Sequence, residues 1–177
     1  MKRSVFLALF LLLAPAIVQA KTEKITGAFG ITLGQKFDTS TAIGKGSLTD
    51  GTPMYQFSPQ NPFRSFKRYY VLITPKTNKV YAIWGIGDME NNEIAKNEQA
   101  VIITILQKKY GKEQEQGLMA SMYDARTIDQ GNRYVMVKTS GITDVTIDIR
   151  YYDKALEELA EKERIEIEAG KANSSGL

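Results

Sequence analysis

The chain has 177 residues, with 23 Lys and Arg against 20 Asp and Glu, 43% hydrophobic and 10% aromatic side chains, and neither His nor Cys. The two absences exclude most: ordinary zinc sites, Cys nucleophiles and the imidazole that activates a serine all go. Disulfides and thiol lipidation go with them, leaving carboxylates, a Lys acting on a Ser, Tyr and Arg, or oxygen-ligated calcium or magnesium.

The first twenty residues read as a secretory signal peptide. Lys2 and Arg3 precede the apolar run Val5 to Ala14, and Val18-Gln19-Ala20 forms a small-residue exit. No later stretch approaches the ~20 apolar residues of a transmembrane helix. Cleavage after Ala20 predicts a soluble periplasmic or secreted protein with 21 bases and 20 acids. The basic surplus leaves with the leader, so nothing points to nucleic acid. Residues 21–170 read as one domain and 171–177 as a flexible tail.

Along the mature chain, Ala28 to Gly34 is a short apolar segment framed by glycines, able to enter the core as a strand or turn. Asp38 to Pro53 turns to Ser, Thr, Gly and Asp and predicts a loop with a single helical turn. Within it Ile43-Gly44-Lys45-Gly46-Ser47 fails the phosphate-loop pattern, lacking both the earlier Gly and the Ser or Thr after its Lys. Met54 to Ser58 alternates as a strand. Phe66 to Thr74 and Lys79 to Ile86 form a hairpin about Pro75-Lys76-Thr77-Asn78, with Asn78 suited to a left-handed conformation. Tyr69, Val71 and Ile73 share one face of the first arm, and Val80, Ala82, Trp84 and Ile86 one face of the second.

Asn92 to Tyr110 predicts a helix capped by Asn91 or Asn92 and stopped by Gly111, its apolar stripe running through Ile94, Val101 and Ile105 with Ile102 and Leu106. Asp88, Glu90 and Glu93 just before and within it fail the calcium-loop spacing. The second half repeats the plan: a strand over Leu118 to Arg126, a hairpin of Arg133 to Lys138 with Asp144 to Tyr152, and a helix from Asp153 to Gly170. That last helix carries seven acids and four bases between Asp153 and Lys171 and docks by a narrow stripe of Tyr152, Leu156, Leu159, Ala160 and Ile167, interrupted by Glu163. The fold expectation is α+β: one or two antiparallel sheets with both helices packed on one side, arranged as two β-β-β-α units.

The densest binding-like constellation is Pro62 to Tyr70. Arg64, Lys67 and Arg68 alternate with Phe66 and Tyr69, offering cations for an acidic partner and flat rings for stacking. The plainer reading puts Phe66 and Tyr70 in the core and leaves the bases solvated on an edge strand.

The entry Gly30-Ile31-Thr32-Leu33-Gly34, the Tyr-rich hairpin about Pro75 and the helix ending in Tyr110-Gly111 resemble small secreted bacterial α+β proteins of the beta-lactamase-inhibitor-like kind, and the related outer-membrane assembly module SmpA/OmlA. The chain differs from the assembly modules in having no Cys and in placing its clear helix after the hairpin. The resemblance implies a non-catalytic protein that binds proteins of the cell envelope, and no functional residue is carried over from it. The function expectation is therefore an exported binding protein recognising another envelope protein, with no cofactor. Two alternatives stand beside it: a carboxylate-based glycan hydrolase drawing on Asp88, Glu90 and Glu93, and a periplasmic small-ligand sensor.

Overall fold

The computed structural model describes residues 22–113 and 124–174. The segment expected to be a signal peptide, and the strand expected over Leu118 to Arg126 as far as Tyr123, lie outside the described residues. Seven strands form one antiparallel sheet: β3 (Gly44–Ser47), β4 (Pro53–Gln56), β5 (Arg68–Ile73), β6 (Val80–Asp88), β7 (Ala125–Asp129), β8 (Arg133–Ser140) and β9 (Thr146–Asp153). Their spatial order is β3-β4-β5-β6-β9-β8-β7. A small ribbon, β1 (Gly27–Ala28) with β2 (Ile31–Thr32), carries the entry segment, and two helices complete the described elements, α1 (Asn92–Tyr110) and α2 (Lys154–Ser174). The class is α+β, as expected. Among the described residues, no helix is long and apolar enough to cross a membrane.

The two helices do not share a side. On one face Val71, Ile73, Ile83, Val135, Val137, Ile147 and Ile149 pack with Ile102, Ile103 and Leu106 of α1. On the other, Leu72, Ala82, Trp84 and Tyr152 pack with Ala160 and Leu156 of α2. Alternate residues of the same strands serve opposite cores, because strand side chains project alternately to either face. β6 is apolar on both sides and so demands cover on both.

A bulge explains a second departure. Leu72 pairs with Ala82 and Ile73 with Val80, which leaves Tyr81 unmatched. Val80 therefore turns toward α1, away from Ala82 and Trp84, while Tyr81 joins them on the α2 face. The hairpin turn itself is as expected, with Asn78 at φ 56°.

α1 begins and ends where its sequence predicts. The Asn91 side chain accepts a hydrogen bond from the Ile94 N–H at 2.9 Å, and Gly111 closes the helix at φ 102°. Its buried side, however, is Ala95, Gln99, Ile102, Ile103, Leu106 and Tyr110, whereas Ile94, Val101 and Ile105 are more than 40% exposed. Gln99 fixes this rotation by donating to the carbonyls of Asp124 (2.6 Å) and Val137 (3.0 Å).

Asp38 to Pro53 contains the expected helical turn, Thr39–Thr41, capped by Asp38. It also holds β3, whose Gly-Lys-Gly-Ser sequence has no strand pattern and which exists through its pairing with Pro53 to Gln56. β8 likewise runs on through Thr139 and Ser140, which sequence places in the turn. α2 continues past Gly170 to Ser174.

The repeated plan is real in the sheet: β4-β5-β6 and β7-β8-β9 meet antiparallel across β6 and β9. A two-fold axis relating such halves must stand perpendicular to the sheet and would keep both helices on one face. The opposite placement of α1 and α2 breaks that symmetry.

Glu163, the acid that interrupts the α2 stripe, is 5% exposed. Its carboxylate accepts from the N–H of Lys76 at 2.6 Å, the N–H of Thr77 at 3.3 Å and the hydroxyl of Thr77 at 3.0 Å. It thus caps the β5–β6 turn and pins α2 to it, with Lys76 also bridging to Glu166 at 2.5 Å. Replacing Glu163 by Ala leaves these donors unmatched and should cost about 1–3 kcal/mol in urea denaturation. Glu163→Gln, which keeps an acceptor, should recover part of the loss.

Candidate binding groove

The constellation picked out in the sequence is divided by the fold. Phe66 and Tyr69 are 5% and 3% exposed and belong to the core under α1. The Tyr69 hydroxyl donates to the carbonyls of Phe63 and Phe66, both 3.1 Å away, and accepts from the Phe63 N–H at 2.9 Å. Tyr70, not Tyr69, is the partly exposed ring, and β5 is an interior strand. The bases stay outside: Arg64 pairs with Glu98 at 3.1 Å, Arg68 with Asp88 at 2.5 Å and Lys67 with the same Asp88 at 4.0 Å. The loop lies tight on β6, because a Cβ on Gly87 would stand 1.8 Å from the Ser65 carbonyl oxygen. Aromatics and bases alternate here because the chain enters a two-sided strand.

Asp88, Glu90 and Glu93 are all exposed. Asp88 is held by Arg68 and Lys67, and Glu93 sits in the first turn of α1, where the helix dipole favours it. Among the described residues no group of three or more acids is placed to hold a metal ion.

A hollow on the α2 face lies elsewhere. Between α2 and the β3–β4 turn runs a groove of about 610 Å³. Its floor is Leu72 of β5, Tyr81 and Trp84 of β6 and Tyr152 of β9; one wall is Leu48, Asp50 and Thr52, the other Glu157, Glu158, Ala160 and Glu161. The floor is tied together: the Trp84 indole N–H donates to the Tyr152 hydroxyl at 3.1 Å, Tyr134 stacks on Tyr152 at 4.9 Å, and the Arg150 guanidinium lies 4.3 Å over the Trp84 ring. Arg150 is itself held by Asp148 at 2.6 Å.

Arg164 joins the walls. It reaches the Asp50 carboxylate at 2.7 Å and the Asp50 carbonyl at 3.1 Å from α2, and also pairs with Glu161. The Thr52 N–H, donating at 2.9 Å, and the Arg164 charge hold the Asp50 carboxyl below its ordinary range. Glu157 moves the other way. Crowding by protein on its inner side, then the neighbouring Glu158 charge, raises its carboxyl above the usual value. The rim counts four acids, Asp50, Glu157, Glu158 and Glu161, against Lys162 and Arg164.

None of the five residues chosen from sequence lines this groove. Its lining comes from five separated stretches, each ordinary by local pattern. The available signal was the α2-side aromatics Trp84, Tyr134 and Tyr152, too many for a helix whose own stripe is narrow. Comparison with family models, curated proteins and solved structures returns no match.

Burial pushes the phenols of Tyr81, Tyr134, Tyr151 and Tyr152 above their ordinary value. A raised folded-state pKa gives stability that is complete below the unfolded value near 10 and is lost as pH rises above it. Urea midpoints should accordingly fall as pH rises above about 10, each buried tyrosine contributing up to ~1.4 kcal/mol per pH unit, and Tyr151→Phe should flatten the decline. Gly87→Ala should destabilise by about 1–3 kcal/mol, since Ser65 backbone must move, as read by the same denaturation.

Proposed function

We propose that the chain is an exported, non-catalytic binding protein that recognises another protein of the cell envelope through the groove between α2 and the sheet. The observation that carries this reading is the groove itself: a hollow of about 610 Å³ beside a helix, with the edges of Tyr81, Trp84 and Tyr152 at its floor, held rigid by the Trp84–Tyr152 hydrogen bond and bounded by charged walls. Binding surfaces combine such buried aromatic anchors with a polar rim. The resemblance to envelope-protein binders implies the same class of activity. The glycan-hydrolase alternative gains no support, because Asp88, Glu90 and Glu93 lie on the open surface and none lines the groove. The small-ligand alternative draws on the same volume, which falls in the range of such sites. The Arg164 strap joining α2 to Asp50 leaves the rest of the groove open to solvent, which suits a segment laid along it better than an enclosed molecule.

Photo-crosslinking side chains placed at Leu48 and at Glu161, compared with one at Glu93 on the far face, test the reading in exporting cells. A discrete adduct with one envelope protein from both groove positions and not from Glu93 is expected. Equal labelling from all three positions would sink the groove as the site, and a retained small molecule found by native mass spectrometry would favour the sensor.

A further inference from the structure

Two carboxylates of the groove, Glu157 and Glu158, have no match inside the molecule. Among the described residues no hydrogen bond or ion pair reaches Glu157, although its charge is close enough to Tyr81, Tyr134 and Tyr152 to oppose the ionisation of all three. Two other rim acids are engaged, Asp50 by Arg164 and the Thr52 N–H, and Glu161 by Arg164. An exposed acid without an internal partner, at the rim of a hollow with apolar lining, is the complement of a cation on an aliphatic stem.

A second hollow adjoins the first. It measures about 430 Å³, is lined by Thr127, Asp129, Tyr134 and Lys154, and shares Glu157 and Glu158 with the groove. Its one base is already neutralised, Lys154 standing 2.6 Å from Asp129. The Glu157–Glu158 step of α2 is therefore a ridge with a hollow on either side. A compact molecule fills one hollow, whereas an extended chain can cross the ridge and use both.

We infer that the groove takes a basic, extended segment of the partner protein, laying the stem of a Lys or Arg along Leu48 and the edges of Trp84 and Ala160 and its charge against Glu157 and Glu158. This rests on the proposed function and adds the chemistry of what is recognised. The occupant is set by charge complementarity: with Lys162 and Arg164 counted, the rim still carries two more acids than bases. An acidic segment would meet those acids unscreened at close range.

Trp84 is the single tryptophan of the chain and lines the groove, so its emission reports occupancy. The probe is a blocked octapeptide of two lysines and two leucines in a Gly/Ser frame, with its acetyl-lysine twin, an aspartate twin and cadaverine as comparisons. The lysine peptide should shift Trp84 emission saturably. The double variant Glu157→Gln/Glu158→Gln, on the exposed first turns of α2, should weaken it about ten-fold, with raised salt acting in the same direction. Unaltered binding by the double variant, no saturable binding of the lysine peptide, or equal binding of the acetyl-lysine or aspartate twin would overturn the inference. Cadaverine binding as tightly as the peptide would replace the protein segment by a small amine and overturn it also. If Leu48 still crosslinks its partner at full yield in the double variant, the partner-binding reading stands while the charge assignment falls; if wild-type groove positions crosslink nothing, the functional reading itself fails.

Discussion

The fold depends on the pairing of β6 with β9 and on the need to cover both faces of that pair. β6 carries Ile83 on one side and Ala82 and Trp84 on the other; β9 carries Ile147, Ile149 and Tyr151 against Tyr152. Seven strands about 4.8 Å apart make a sheet roughly 30 Å wide, whereas a helix with its side chains is about 10–12 Å across. One helix on each face can cover the centre but not the flanks. α1 lies across β7, β8 and β9, and the entry segment with Phe29, Phe57 and Phe66 fills the rest of that side. α2 lies across β6 and β9 with less help. The groove is the part of the α2 face that its single helix leaves open, given a second wall by the turn between β3 and β4.

The same requirement accounts for the broken symmetry. Two β-β-β units joined edge to edge generate one continuous sheet whose centre is apolar on both faces, and helices on a single face would leave Leu72, Ala82 and Trp84 in water. Burying a side chain of this size stabilises by about 1.5–3 kcal/mol, which together outweighs any preference for keeping two similar units alike. α2 therefore turns to the opposite face directly after Asp153, whose buried carboxylate is paired with Arg133 at 2.8 Å and receives the Leu156 N–H at the helix start. Further along, adjacent residues fasten the helix at two places. Glu163 holds it to the β5–β6 turn by neutral N–H and O–H donors, and Arg164 holds it to the β3–β4 turn by charge. The width of the groove is set between these two fixings.

Much of the architecture was legible because it rests on local signals. Asn91 and Gly111 bound α1, Asn78 marks the hairpin turn, and the β-branched and aromatic runs mark β5, β6, β8 and β9. The misreadings share a physical origin in contacts distant along the chain. β3 has glycines where a strand pattern would need side chains, and backbone pairing to β4 alone makes it. Val80 leaves its expected face because Tyr81 is bulged. α1 carries two apolar stripes, and the choice between Ile94-Val101-Ile105 and Ala95-Ile102-Leu106 is made by Gln99 reaching Asp124 and Val137. The sequence constellation and the groove differ for a related reason: Phe66 and Tyr69 lie next to bases in sequence but turn into the core while Arg64, Lys67 and Arg68 pair with acids at the surface, whereas Trp84, Tyr152 and Glu157 converge only after β6, β9 and α2 have assembled.

The residues that the composition lacks bear on the groove as well. With no histidine, no imidazole can change charge between about pH 5 and 8, and burial keeps the tyrosines of the floor neutral well into the alkaline range. The charge of the groove is thus set by carboxylates, Lys and Arg alone. The seven acids against four bases between Asp153 and Lys171 concentrate negative charge on α2, in a chain whose formal net charge is only +3. Long-range steering of a partner by net charge is correspondingly weak. Selectivity of the proposed binding then rests on short-range matching, where the aromatic lining of the groove and the unmatched carboxylates of Glu157 and Glu158 stand within one side chain's reach.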